Sequence, residues 1–195
     1  NLLESDSIRS HEAIQAIVIA RSPERWLEQV TINKGKKHGV QANMLVMTAD
    51  GMIGKIQSAS NYTSRVKLVT GFDQFNRISA MVSREDARNI FGMIEGFDEE
   101  TNSLLFRIIE ESEKDLEEGD LVLSSGMGGV FPAGVPIGTV KEVTSDQYGL
   151  TQIALVEPSA DLYDINNVII LDRSVEQVED LGDVVDDETE GDNEE

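Results

Sequence analysis

Residues 118–145 read E-G-D-L-V-L-S-S-G-M-G-G-V-F-P-A-G-V-P-I-G-T-V-K-E-V-T-S, and this is the most informative stretch of the sequence. It resembles an active-site loop, because Ser124 and Ser125 precede a run of glycines. However, two prolines interrupt it and no helical pattern follows. The glycines are better explained as residues that allow positive φ angles in a compact loop between two strands, which the prolines stiffen.

A shorter version of the same pattern occurs in residues 44–60, M-L-V-M-T-A-D-G-M-I-G-K-I-Q-S-A-S. In both copies, an apolar strand that ends in Thr or Ser leads through a Gly turn to a second strand. Gly54 and Gly138 occupy matching positions, and Gly inside a strand often marks a bulge or a barrel corner. Each copy also follows a polar turn that ends in Gly, at Gly39 or at Gly119. This repetition favours duplication of a β-unit over chance similarity between hairpins.

Short runs rich in Val, Ile and Leu recur from residue 13 to residue 171, separated by Gly, Asn, Asp or Pro. Runs of this length and spacing predict an all-β sandwich or barrel. There are about a dozen runs, which is more than one small barrel needs, so we expect two barrels. Asp50-Gly51 predicts a tight hairpin, and residues 97–102 should form the tip of another.

The first twelve residues, N-L-L-E-S-D-S-I-R-S-H-E, are the best helix candidate in the chain. Leu2, Leu3 and Ile8 supply a partial apolar stripe along it. If the helix continues a coil that precedes it, this stripe could form a dimer seam. Such a seam would be short and weak within these residues alone.

The charge of the chain limits its partners. A net charge of -21 argues against nucleic acid, which needs a basic stripe, and disfavours direct adhesion to an anionic membrane. Residues 174–195 contain eleven acids and no Lys or Arg. We therefore expect residues 173–195 to be an acidic disordered tail. Their acids do not have the spacing of a calcium-binding loop.

The chain has no Cys, which removes disulfides, thiolate nucleophiles and Cys-based metal sites. Its two histidines, His11 and His38, lack the spacing of metal ligands, so we expect neither a metal nor another cofactor. No apolar run is long enough to span a bilayer. The sequence starts at Asn1 without a signal-peptide pattern, so we expect any membrane anchor to precede it.

One enzyme class fits two β-barrels: a serine hydrolase with its His on one barrel and its Ser on the other. In that alternative, His38 is the base, Asp50 or Asp73 orients it, and Ser125 is the nucleophile. The sequence around His38 and Ser125 does not match a protease signature. A phosphate-binding loop at residues 126–129 is disfavoured because no helix pattern and no nearby Lys follow it.

Four stretches, in order, resemble the MreC family of bacterial cell-shape proteins, and the resemblance extends over residues 13–172. They are A-I-V-I-A-R-S-P-E-R-W-L-E-Q-V-T-I-N-K-G-K-K-H-G-V (16–40), G-M-I-G-K-I-Q-S-A-S-N-Y-T-S-R-V-K-L-V-T (51–70), G-D-L-V-L-S-S-G-M-G-G-V-F-P-A-G-V-P-I-G-T-V (119–140) and E-P-S-A-D-L-Y-D-I-N-N-V-I-I-L (157–171). The acidic tail lies outside the resemblance.

The resemblance implies a mainly β fold: an N-terminal helix followed by two small β-barrels, the first discontinuous. The implied domains are residues 1–12 as the end of a coiled coil, 13–72 plus 151–172 as the first barrel, 73–150 as the second, and 173–195 as the tail.

The resemblance also implies a function without catalysis. Proteins of this family are scaffolds of the cell-wall elongation machinery, and they maintain rod shape by organising wall-synthesis enzymes outside the membrane. The implied partners are MreD, MreB and penicillin-binding proteins, with self-association as a homodimer or larger assembly. The implied location is extracytoplasmic, with a single-pass anchor upstream of this sequence.

The motif residues can be interpreted in these terms. Trp26, the only Trp, is expected in the core of the first barrel. Phe131 and Val135, on a loop bounded by Gly and Pro, are the apolar residues best suited to contact a partner, although Phe131 fits a core position equally well. A wall-binding carbohydrate module is a weaker option, because only 5% of the residues are aromatic.

Overall fold

A computed structural model describes residues 13–24, 27–72, 76–83, 89–109, 116–129, 131–145 and 152–172. Several sequence predictions fall outside these residues: the N-terminal helix with Leu2, Leu3 and Ile8, the acidic tail, Trp26 and Asp73. No helix in the described part of the chain is long and apolar enough to cross a membrane.

The described residues form twelve β-strands and two short 3-10 turns, at Lys36–His38 and Val69–Gly71. The strands are β1 (Ala13–Arg21), β2 (Gln29–Ile32), β3 (Leu45–Met47), β4 (Met52–Ala59), β5 (Ser64–Leu68), β6 (Ile78–Ser83), β7 (Ile90–Asp98), β8 (Ser103–Ile108), β9 (Leu121–Ser124), β10 (Pro136–Ser145), β11 (Gln152–Pro158) and β12 (Asn167–Leu171).

The strands close into two six-stranded barrels, in the orders β1-β12-β3-β4-β5-β2 and β10-β11-β8-β7-β6-β9. Every neighbouring pair is antiparallel. The first barrel is discontinuous, because β12 returns from the far end of the sequence and pairs Leu171 with Ala13. The prediction of two small β-barrels, the first interrupted by the second, is confirmed.

The predicted position at which the chain re-enters the first barrel is wrong by one strand, because β11 belongs to the second barrel. The family resemblance implies that residues 151–172 belong to the first barrel, but β11 pairs with β10 and β8 of the second. The reason is local pairing: β10 and β11 follow each other and align over most of their length, with Val140 opposite Val156. This pairing helps bury Ala154 and Val156 in the second barrel. The crossing to the first barrel therefore occurs in residues 159–166.

The two barrels share one topology. The second barrel uses β6 to β11 in chain order, whereas the first uses β12 followed by β1 to β5. If β12 is matched with β6, and β1 to β5 with β7 to β11, the cyclic order of strands is identical. The first barrel is thus a circular permutation of the second, with one strand moved to the opposite end of the sequence.

The repeated sequence pattern lies at equivalent places in the two barrels. Gly54 on β4 pairs with Val46 on β3, and Gly138 on β10 pairs with Val122 on β9. A Cβ atom at Gly54 would collide with the Lys67 carbonyl oxygen, and one at Gly138 would collide with the Glu157 carbonyl oxygen. Both glycines therefore permit close approach of the neighbouring strand, which confirms the match predicted from the sequence.

In the turn that precedes each repeat, the structurally equivalent residues are not the ones that the sequence pattern aligned. Gly119 donates its N–H to the Val140 carbonyl at 2.8 Å and has φ of 92°. Its structural counterpart is Asn43, which donates to the Ile56 carbonyl at 2.8 Å with φ of 67°. Gly39, which the sequence aligned with Gly119, instead ends the earlier 3-10 turn. Asn tolerates the left-handed region better than most residues, so the turn does not require Gly.

Burial alternates along strands such as β2, β5 and β6, as expected for barrels filled by their own core, whereas β3 is buried at all three positions. The barrels also contact each other near Phe72, at the junction between them. The Lys55 ammonium lies 5.8 Å from the centre of the Phe72 ring, and a Cβ at Gly96 would lie 3.8 Å from the Phe72 carbonyl oxygen. In addition, the Tyr163 hydroxyl donates to Asn102 Oδ1 at 3.2 Å and joins the return loop to the β7–β8 hairpin.

Candidate functional site

The glycine-rich loop after β9 is held by a buried serine. Ser124 is completely buried, and its hydroxyl donates to the Pro132 carbonyl at 2.6 Å. The same oxygen accepts the Val135 N–H at 2.9 Å. Backbone bonds from Ser124 to Val135 and from Gly134 to Ser124 close the loop base. Because this hydroxyl both donates and accepts a hydrogen bond, Ser124 holds the loop in place against the barrel.

The structure does not place the predicted partner residues on the surface. Phe131 is 7% exposed and Val135 is fully buried. The bonds made by Ser124 hold the second half of the loop against the barrel, so both apolar side chains enter the core. The prediction that they are displayed to a partner is therefore wrong. Among the described residues of this loop, Met127 is a large apolar side chain that faces solvent, with 52% exposure.

His38 is used to shape a turn on the first barrel. Its Nδ1 accepts the Gly35 N–H at 3.2 Å, across the 3-10 turn at Lys36–His38. The ring also meets the Tyr62 ring edge-on, with centroids 6.5 Å apart. These contacts all lie within the first barrel.

Ser125 belongs to the other barrel. Its hydroxyl accepts the Met127 N–H at 3.2 Å, and its N–H donates to the Ser79 carbonyl. Asp50 lies in the β3–β4 turn, where its N–H donates to the Thr48 hydroxyl at 3.3 Å. Within the described residues no hydrogen bond joins Ser125, His38 and Asp50, so the geometry of a catalytic triad is not present.

No metal centre is formed by the part of the chain that the structure describes, since no group of three or more His, Asp or Glu residues lies close enough together. One carboxylate is clearly influenced by its surroundings. The Thr101 hydroxyl donates to Asp98 at 2.7 Å and lowers its pKa, and the Glu100 N–H at 3.0 Å lowers the pKa further. Asp98 lies at the tip of the β7–β8 hairpin, and its bonds stabilise that turn.

The outer face of β1 carries two exposed isoleucines, Ile17 and Ile19, which are 51% and 55% exposed. Between them Val18 points inward and packs on the core. The strand is held at this point by Asn33, whose side-chain oxygen accepts the Ile17 N–H at 2.9 Å and whose N–H donates to the Ile17 carbonyl at 3.0 Å. The sequence could not distinguish this face, because A-I-V-I-A is apolar at every position.

The chain is similar to proteins of one bacterial family. A family model described as "Rod shape-determining protein MreC, barrel core" matches residues 18–172. The cell shape-determining protein MreC of Geobacillus stearothermophilus is 46% identical over 177 residues, which are 89% of this chain and 61% of that protein. The MreC of Listeria monocytogenes is 42% identical over 88% of this chain and 57% of its own length. The chain thus spans about three fifths of these relatives.

Solved structures agree with these matches. A structure of MreC from Listeria monocytogenes has a TM-score of 0.79 and 41% identity, covering 87% of this chain and 80% of that one. A complex between a penicillin-binding protein and MreC from Helicobacter pylori contains a chain with a TM-score of 0.60. That chain is 18% identical, covers 84% of this chain and 99% of its own, and shows a shared fold only. Given the family model and the relatives, the chain belongs to the MreC family of rod shape-determining proteins.

Proposed function

We propose that this chain is a non-catalytic scaffold of the cell-wall elongation machinery, which maintains rod shape by organising wall-synthesis enzymes outside the membrane. The proposal rests on the hydrogen bonds that the serine and histidine side chains of this chain make. Ser124, Ser125 and His38 all bond to backbone groups that shape loops. Side chains committed in this way support a rigid surface, and within the described residues no His, Asp or Glu hydrogen-bonds to Ser124 or Ser125 to activate it.

We further propose that the chain binds a penicillin-binding protein. MreC of Helicobacter pylori was solved in a complex with such a protein, and this chain shares its fold. The outer face of β1 is the surface that we assign to this contact, because Ile17 and Ile19 place apolar area on a strand held firmly by Asn33. Exposed apolar groups on rigid elements are typical of protein contacts.

The remaining family properties are also part of the proposal. MreD and MreB are the further partners, and the chain would be held outside the cell membrane by a single-pass anchor upstream. Leu2, Leu3 and Ile8 would form a dimer seam. Because the seam is short within these residues alone, the test uses the full-length protein: replacing all three with Asp should shift its sedimentation coefficient from that of a dimer to that of a monomer. An unchanged coefficient would remove the seam from the proposal.

A complementation experiment tests the scaffold. Cells depleted of the native protein should recover rod shape with a full-length His38→Ala/Ser125→Ala variant, since neither residue would be catalytic. Ile17→Ser/Ile19→Ser should fail to restore rod shape and should weaken binding to the purified penicillin-binding protein by about tenfold or more. Ile109→Ser/Leu121→Ser is the matched control, because both side chains are exposed on the second barrel.

Two results would contradict the scaffold, and a third would remove its proposed contact surface. Loss of shape in the His38→Ala/Ser125→Ala variant, with normal folding and abundance, would favour the serine hydrolase. Labelling of Ser125 by a fluorophosphonate probe would point the same way, because that reagent requires an activated serine. If the Ile17→Ser/Ile19→Ser variant and the Ile109→Ser/Leu121→Ser variant bound the penicillin-binding protein equally well, β1 would not be the contact surface. The scaffold would then act through another face.

A further inference from the structure

One end of the first barrel carries an exposed basic segment, residues 36–39, here called the lysine turn. Lys36, Lys37 and His38 are all exposed, and the Lys37 ammonium lies 5.2 Å from the centre of the exposed Tyr62 ring. Within the described residues, no acid forms a salt bridge with Lys36 or Lys37. The turn therefore presents two cations without a carboxylate partner from the barrels.

Charge is distributed unevenly between the two barrels. Residues 13–72 contain eight Lys and Arg against three Asp and Glu, whereas residues 73–158 contain six against seventeen. Residues 159–172 add three aspartates, and two of them, Asp161 and Asp164, lie in the loop that contacts Arg21. Arg21 ends β1, far from the lysine turn at the start of that strand. The lysine turn is consequently a cationic site on a chain that is strongly acidic overall.

The chain leaves the first barrel beside this turn. A Cβ at Gly39 would lie 3.5 Å from Ile14 Cδ1, so the turn covers the start of β1. Ile14 pairs with Ile170 on β12, and the sequence continues from there into residues 173–195. A segment of 23 residues can extend about 75 Å, so the turn lies well within reach of all of them.

An open groove adjoins the lysine turn. It has a volume of about 460 Å³ and is lined by Lys36, Gly39, Val40, Gln41, Ala42 and residues 57–59. Val40 and Ala59 give it an apolar floor, and Lys36 contributes a cation at its edge. A ligand that fits such a groove combines apolar groups with negative charge.

The acidic tail has this composition in its sequence. At 3.6 residues per turn, Val175, Val178, Leu181 and Val185 fall within roughly 120° of a helical wheel. Five of the acids between residues 176 and 187 fall on the opposite side: Glu176, Glu179, Asp180, Asp183 and Asp187. The tail can therefore place an apolar stripe in the groove while its carboxylates approach the lysine turn.

We propose that residues 174–195 dock on the lysine turn and the adjoining groove of the same chain. The tail thereby covers a cationic surface that would otherwise attract other anionic molecules. Because the tail is tethered next to the site, its effective concentration is in the millimolar range, and a weak intrinsic affinity is sufficient for occupancy. This docking concerns the first barrel alone and does not depend on the partner proposed for β1.

The absence of Cys allows a direct test with the whole chain. A Thr189→Cys variant, carrying a nitroxide spin label, should broaden the amide NMR signals of residues 36–42 at least twofold. The signals of the β7–β8 hairpin should not change. Lys36→Glu/Lys37→Glu should abolish the broadening, whereas Lys141→Glu, on the second barrel, should retain it. Salt at 1 M, where the screening length is about 3 Å, should weaken it.

A second variant protects the test against misfolding of the barrel. Asp183→Asn/Asp186→Asn/Asp187→Asn leaves both barrels unaltered and should also abolish the broadening. Undiminished broadening in either charge variant would overturn the proposal, as would uniform broadening of both barrels. Broadening of an isotope-labelled chain by a separate spin-labelled chain would show that the tail binds a second copy, and would overturn docking within one chain.

Discussion

Gly54 and Gly138 are structural equivalents: each lies opposite a valine of the preceding strand and directly against a carbonyl of the following strand. Their partners are Val46 and Val122, and the carbonyls belong to Lys67 and Glu157. The two barrels are therefore built around the same close contact between strands. This contact makes both glycines more sensitive to substitution than Gly96 on β7, where an added Cβ has room.

We predict that Gly54→Ala and Gly138→Ala each destabilise the fold by about 1–3 kcal/mol, because the added methyl group must displace a backbone carbonyl. Denaturant unfolding would measure the loss. Gly96→Ala is the matched control, since its Cβ would meet no atom closer than 3.8 Å and should change stability by less than about 0.5 kcal/mol. Equal effects at all three sites would contradict the steric explanation.

The two adjacent serines should differ in their contribution to stability. Ser124→Ala removes a buried hydroxyl that bonds to Pro132 and Val135, and should cost about 1–3 kcal/mol. Ser125→Ala removes a partly exposed hydroxyl with one long bond, and should cost less than about 1 kcal/mol. Thermal unfolding of the two variants compares them directly. A larger loss of stability in Ser125→Ala than in Ser124→Ala would show that the Ser124 hydroxyl does not hold the loop in place.

The equivalence of Asn43 and Gly119 predicts an unusual substitution pattern. Nothing lies within 4 Å of a Cβ at Gly119, so only its positive φ limits what can replace it. We expect Gly119→Ala to cost about 1–2 kcal/mol and Gly119→Asn clearly less, because Asn visits the left-handed region more readily. Asn43→Ala should be destabilising for the same reason. Denaturant midpoints would rank the stabilities of these variants. Equal stability of Gly119→Asn and Gly119→Ala would exclude backbone strain as the cause.

The β7–β8 hairpin should depend on pH through Asp98. Because bonds from Thr101 and Glu100 lower its pKa, an NMR titration of the carboxyl carbon should give a midpoint below 3.8. A lowered folded pKa means that the stabilisation is present above the ordinary value and is lost as pH falls through the folded value. Thr101→Val should raise the midpoint, whereas Thr144→Val, remote from Asp98, should not. A midpoint above 3.8 in the unaltered chain would contradict these bonds.

Several features of the fold could be read from the sequence. The recurring short apolar runs predicted strands, their number predicted two barrels, and the repeated glycines identified equivalent strand positions. Each of these inferences depends on residues that are near one another in the sequence. Strand length, turn residues and Gly within a strand are local signals, so tertiary contacts do not need to be known.

Local sequence signals did not predict which barrel contains β11 or that Phe131 and Val135 are buried. Residues 152–158 form a strand in any case, and only pairing with β10 and β8 assigned them to the second barrel. The sequence pattern predicts that Phe131 and Val135 face a partner from a loop, but two hydrogen bonds made with the Ser124 hydroxyl hold that loop against the barrel. Neither outcome could be derived from residue type alone.

Periodicity and glycine placement are local properties, so the sequence alone predicts the mainly β character, the presence of two barrels and the sites where strands approach closely. Tertiary structure alone decided which barrel received β11, which isoleucines of β1 face solvent, and which end of the first barrel gathers the lysine turn. These properties depend on pairing and burial between residues distant in the sequence, and only the closed barrels bring those residues together.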